Sequence, residues 1–141
     1  MRIVIMDAQG GGLGKLLVGG LKQALPEQEI VCVGTNAMAT AAMLRAGADR
    51  GATGENAVKI CARDADIIAG PLGMVLADAM LGEVTEEMAK AVGQSSAARV
   101  LVPVGRCNTV VAGVPRLTLQ EAADAAVAQI VRLAGEQNGQ S

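Results

Sequence analysis

A doubly wound α/β fold on a parallel sheet is the architecture this sequence predicts, and three observations carry it. Short apolar runs without polar alternation, as strands buried on both faces require, alternate along the chain with segments whose apolar residues fall at helical spacing. The first of these runs breaks into glycines and restarts as a helix pattern. The unusual residues then gather in the connections that follow strands, whereas the opposite end has ordinary turns such as Pro26-Glu27-Gln28. Together these features imply right-handed crossovers and a Rossmann-like strand order of 3-2-1-4-5-6, with a flavodoxin-like 2-1-3-4-5 as the alternative.

Residues 2–6 form the first strand, and Leu13, Leu16, Leu17, Leu21, Ala24 and Leu25 the apolar face of the helix that Pro26 stops. Ile30 to Val33 is the second strand. Thr35 or Asn36 caps a helix from Ala37 to Ala46 that ends at Gly47. Residues 48–52 are a short third strand, 55–62 a helix, and Asp66 to Ala69 a fourth strand halted by Gly70-Pro71. Apolar spacing reads as a helix over 74–81, and Thr85 opens another over 86–94 with Glu86 and Glu87 in its first turn, where the macrodipole favours negative charge. Val100 to Val104 and Val110 to Ala112 are read as two more strands. Thr118-x-x-Glu121 is a capping box that starts the last helix, leaving one domain over 1–134 and a frayed tail over 135–141.

Composition narrows the function. The chain has 141 residues, 51% hydrophobic and 18% charged, enough for one globular domain with a proper core. It contains no Phe, Tyr or Trp, so the core is assembled from aliphatic residues, Met and Ala, and a homo-oligomer interface is expected to complete it around the Leu/Met-rich segment 72–92. With a net charge of −2, no basic stripe and no aromatic platform, nucleic acid is excluded as a partner. The lack of His removes the commonest acid/base group and metal ligand, and no metal site is expected. Three widely spaced cysteines without a Cys-x-x-Cys pair, and no apolar stretch for a signal or a membrane span, place the protein in the cytoplasm.

The turn Asp7-Ala8-Gln9-Gly10-Gly11-Gly12-Leu13-Gly14-Lys15 is the main ligand signal. A strand that restarts as a helix aims backbone N–H groups and a helix N-terminus at one spot, and glycines let an anion approach them. No register of Gly-x-Gly-x-x-Gly fits, and the phosphate-loop pattern fails where Leu16 replaces its hydroxyl residue and Gln9 its leading Gly. A phosphate-bearing small molecule, a nucleotide or dinucleotide, is the expected ligand. A degenerate phosphate-loop hydrolase and a non-enzymatic, metabolite-sensing subunit are the alternatives.

Further strand-end loops add Thr35 and Asn36, which stand where a dinucleotide fold places its ribose-binding acid. Then come Thr53, Gly54 and Asn56, followed by Gly70, Pro71 and Gly73, and finally Asn108. Whether a reaction is catalysed stays open. If one is, Asp7, Glu55, Arg106 and Cys107 are the candidate side chains, by exclusion of His and of acids accounted for by helix capping. Each has a structural alternative: Asp7 as a cap on the glycine loop, Glu55 as a first-turn residue, Arg106 as a surface cation, Cys107 as an inert thiol. Lys15 would neutralise phosphate.

The strings "QGGGLGK", "GTN", "ATAAMLRAGA", "GATGENA", "GPLG" and "RCN", in this order and spacing, resemble the bacterial family catalogued as domain of unknown function 3842. The resemblance runs from Met1 to about the last helix. The family pattern has Gly where this chain has Ala8 and Asn where it has Gly105. It implies no activity.

Overall fold

The computed structural model describes residues 1–104 and 108–139. Five strands form one parallel sheet: β1 (Ile3–Asp7), β2 (Ile30–Gly34), β3 (Arg50–Thr53), β4 (Ile67–Pro71) and β5 (Ala98–Val102), in the order 3-2-1-4-5. The helices are α1 (Gly12–Ala24), α2 (Ala37–Arg45), α3 (Glu55–Asp64), α4 (Glu86–Gln94) and α5 (Leu119–Gly139). The doubly wound Rossmann-like fold is therefore present. The flavodoxin-like order is not, because β1 lies between β2 and β4.

Alternation along β1 sorts the core into two layers. Ile3 and Ile5, with Cys32 and Ile67, meet Leu17, Leu21, Met43 and Ile130 of α1, α2 and α5. Val4 and Met6, with Val33 and Ile68, meet Val58, Met88 and Val92 of α3 and α4. Both layers exclude water from every residue of β1, which is why the strand reads as an unbroken apolar run up to its last position. Asp7 continues the odd-numbered stripe and so points beneath the start of α1. Further along α1, Gly20 permits close packing of α5, since a Cβ there would lie 2.9 Å from Val127 Cγ2.

Three expected elements differ. The segment 74–81 is not a helix: one 3₁₀ turn covers Leu72–Val75, and tight turns follow, with Asp78, Met80, Leu81 and Gly82 all at positive φ. Its apolar spacing reflects burial of Met74, Ala79, Met80 and Val84 in the second layer rather than a helical stripe. The run Val110 to Ala112 forms no strand, so no sixth strand is present among the described residues. Val111, with Val114 and Leu117, instead lines a groove against Val100, Leu101 and α5. Finally, α5 continues through 135–139, which the sequence pattern leaves as a tail. The capping box is formed: Glu121 N–H donates to Thr118 Oγ1 at 3.1 Å, and Thr118 N–H donates to Glu121 Oε1 at 3.0 Å.

Candidate functional site

The strand order reverses between β1 and β4, and in such sheets the ligand crevice lies outside the carboxyl ends at that point. A cleft of about 200 Å³ is found there, walled by Ala8, Gln9, Gly10 and Gly12 on one side and by Pro71, Met80, Val104 and Leu119 on the other.

The glycine turn divides its work among separate residues. Gly11 makes the turn at φ 75°, and a Cβ on it would meet Ala42 Cβ at 2.9 Å. Gly14 brings α1 down onto the sheet, because a Cβ there would lie 2.9 Å from Asp7 Cβ and 2.6 Å from Met43 Sδ. Gly10 and Gly12 face open space. A tight turn, a bare backbone and close helix–strand packing are the three roles that glycines fill in dinucleotide-binding turns. They are filled here although the motif string does not match, because the turn is compressed by one to two positions.

Asp7 takes up part of the helix terminus. Its Oδ2 accepts from Gly14 N–H at 2.6 Å and its Oδ1 from Ala8 N–H at 2.8 Å. Gly11 N–H is held by Ala8 O at 3.0 Å. Burial pushes the Asp7 carboxyl above its ordinary range, the bonds from Gly14 and Ala8 pull it back only in part, and the charge of Glu83 pushes the same way as burial. The cap on the glycine loop is thus realised. Among the described residues, the N–H groups of Gly10 and Gly12 have no acceptor, so they are the donors that remain for a ligand.

Behind Gly10, between α1 and α2, Lys15 and Arg45 line a second, larger groove of about 460 Å³. Neither cation forms an ion pair among the described residues. Sequence reasoning had no signal for Arg45, which closes an ordinary amphipathic helix.

Glu83 is the residue that local pattern could not find. It reaches over from the loop after β4, and its Oε1 accepts from Thr35 Oγ1 at 2.6 Å, Asn36 Nδ2 at 2.6 Å and Gln9 N–H at 2.7 Å. Asn36 Nδ2 also donates to Gln9 O at 3.0 Å, while its Oδ1 caps α2 by accepting from Ala39 N–H. Gln9 is therefore fixed through both its backbone groups, at φ 51°. Burial raises the Glu83 pKa, but the bonds from Thr35, Gln9 and Asn36 outweigh it and hold the carboxylate below its ordinary range.

The other candidates are spread along the carboxyl edge. Thr53 Oγ1 pairs with Thr40 Oγ1 at 2.7 Å. Gly54 caps α3 at φ 102°, and Asn56 is exposed in its first turn. Glu55 Oε1 accepts from Thr85 Oγ1 at 2.6 Å, which links the starts of α3 and α4. Gly70 lies inside β4 against the Met6 carbonyl, where no side chain fits, and Gly73 is buried in the 3₁₀ turn. Leu13 is buried under α1, with its edge in the cleft. Asn108 is exposed at φ 58°. Arg106 and Cys107 lie outside the described residues, as does Gly105. Cys32 is buried in β2, and burial pushes its thiol up to about 11. No group of three or more metal-ligating side chains occurs among the described residues, and no helix there is long and apolar enough to cross a membrane.

No curated protein matches this chain. Among solved structures, it is similar to the crystal structure of a dodecameric FMN-dependent Ubix-like decarboxylase from Escherichia coli O157:H7, at 14% identity and a TM-score of 0.46 over 95% of this chain and 94% of that one. A likeness of that degree bears on neither ligand nor assembly. The family is settled by sequence: the model described as Domain of unknown function (DUF3842) matches residues 2–135, and the chain belongs to that family.

Proposed function

We propose that the chain is a small-molecule-binding domain whose ligand carries phosphate, a nucleotide or dinucleotide, seated in the cleft between β1 and β4. The observation that carries this reading is the pair Gly10 and Gly12, whose N–H groups have no acceptor among the described residues and which have open space where a side chain would stand. They stand at the start of α1, where the helix dipole favours an anion. Lys15 and Arg45 supply the countercharge on the far side of Gly10. The reading is one of binding in the cytoplasm; no reaction is included in it.

A homo-oligomer is part of the same proposal, on a different footing from the sequence. Segment 72–92 buries Met74, Met80, Met88 and Val92 within the chain's own core. What supports assembly is the fully exposed Leu81, with Val110 and Met38 also largely exposed.

Gly12→Asp tests the binding site. Position 12 has open space around it and is the first residue of α1, so an aspartate fits and is favoured there by the dipole. The fold is expected to survive while calorimetric binding of nucleotides, found first by a thermal-shift panel, falls at least ~10-fold through charge repulsion. Unchanged affinity overturns the site.

A further inference from the structure

The geometry points to Glu83 as the acceptor for the vicinal hydroxyls of a ribose, so that the ligand is a ribonucleotide with unsubstituted 2′ and 3′ hydroxyls. This rests on the phosphate reading above. In dinucleotide-binding folds a carboxylate near the end of the second strand accepts from the ribose, about twenty residues beyond the glycine turn. Here that place holds Thr35 and Asn36, which carry no charge. Both donate to Glu83 Oε1, so a carboxylate occupies the position after all, delivered by the loop that follows β4.

The chemistry of the carboxylate separates a loop tie from a ligand acceptor. Three donors converge on Oε1, which is sufficient to anchor the loop. Among the described residues Oε2 has no hydrogen-bond partner, and Glu83 is only partly buried. An ionised carboxylate with one oxygen fixed and the other without a partner among the described residues supplies the acceptor that a neighbouring pair of hydroxyls requires. The backbone contributes to its placement. Met80, Leu81 and Gly82 follow one another at φ 57°, 60° and 86°, a left-handed turn that only glycine adopts without strain. Strain of this kind persists where surrounding contacts over-determine it, and here Met80 is packed into the core while Glu83 is tied to Gln9, Thr35 and Asn36 in the loops that follow β1 and β2. The same charge disfavours a ribose that bears an additional phosphate.

The test measures calorimetric affinity for ATP and GTP, each against its 2′-deoxy counterpart, and for NAD against NADP, with inorganic pyrophosphate as the probe of the phosphate site alone. Wild type is expected to prefer the ribonucleotide by ~10-fold or more, the range of a charge-assisted hydrogen bond, and NAD over NADP. In Glu83→Gln, which keeps an acceptor for Thr35, Asn36 and Gln9, the ribo-to-deoxy ratio is expected to fall toward ~1 while pyrophosphate affinity is retained. A wild type that binds ribo and deoxy forms equally, or a ratio that survives in Glu83→Gln, overturns the role of Glu83 and leaves the phosphate site standing. Absence of binding by pyrophosphate and by every nucleotide overturns both. A urea midpoint for Glu83→Gln close to wild type shows that the loop is still in place.

Discussion

The loops after β1 and β4 each bring a carboxylate to the same end of the sheet, and they hold it in opposite ways. Asp7 ends a strand, points under α1 and spends both oxygens on backbone N–H groups of its own loop. Glu83 rides on a left-handed turn, crosses to two other strand ends and spends one oxygen. Burial dominates at Asp7 and raises its pKa, whereas donated hydrogen bonds dominate at Glu83 and lower its pKa. Asp7, with both oxygens engaged, shapes the site; Glu83, whose Oε2 has no partner among the described residues, is the one proposed to meet a ligand.

Taking the acceptor away at Asp7 and keeping it at Glu83 while removing the charge gives the sharpest contrast. Asp7→Ala leaves the Ala8 and Gly14 donors buried and unsatisfied, at about 1–3 kcal/mol each, so a loss of about 2–6 kcal/mol is expected in urea unfolding. Glu83→Gln keeps its acceptor and is expected to cost less than about 1 kcal/mol. Equal losses from the two would erase the distinction.

Acid titration probes the same contrast with opposite signs. Folding raises the Asp7 pKa above its ordinary 3.8, so folded protein binds that proton more tightly and stability declines as pH rises from there through the raised value. Folding lowers the Glu83 pKa below its ordinary 4.5, so its contribution is present above 4.5 and is lost as pH falls through the lowered value. Urea midpoints measured from about pH 3 to about pH 7 are expected to lose the first slope in Asp7→Asn and the second in Glu83→Gln. A variant that leaves its slope intact refutes the corresponding assignment.

The smallest effect is the strain itself. Leu81 is fully exposed at φ 60°, so replacing it with glycine forfeits no packing and relieves a left-handed conformation worth roughly 1–2 kcal/mol. After the entropy that glycine adds to the unfolded chain, Leu81→Gly is expected to stabilise the separated protomer by about 0.5–1 kcal/mol at high dilution and to lose that gain as protein concentration rises, because the proposed assembly covers Leu81. A gain that is the same at every concentration would show that this turn lies outside any interface.

The sequence pattern discloses what is local. The β1–α1 turn, the capping by Asn36, Thr85 and Thr118, and the unbroken apolar runs of β1, β2 and β4 are set by neighbours within a few residues. Segment 74–81 misleads because a loop folded inward over a core buries residues at irregular intervals that imitate helical spacing. Val110 to Ala112 misleads because a short apolar run fits a groove as well as a sheet. Glu83 is invisible for a stronger reason: its three bonds span 47 to 74 residues, and no periodicity links positions that far apart.

The position of β1 at the centre of the sheet sets a timetable for biosynthesis. Ile3 pairs with Ile30 on one side and with Ile67 on the other. The longer closure costs only about 0.6 kcal/mol more for each doubling of the loop, so the delay is one of time rather than of free energy. Ile67 follows Ile3 by 64 residues, so a ribosome adding about 5–20 residues per second needs on the order of 3–13 s to reach β4 after β1. Through that interval one edge of a central strand that is apolar up to Asp7 stands open, and a ligand held, as proposed, by both the glycine turn and Glu83 cannot protect it. A nascent chain of this protein is thus most exposed to misassociation while its second half is still being made.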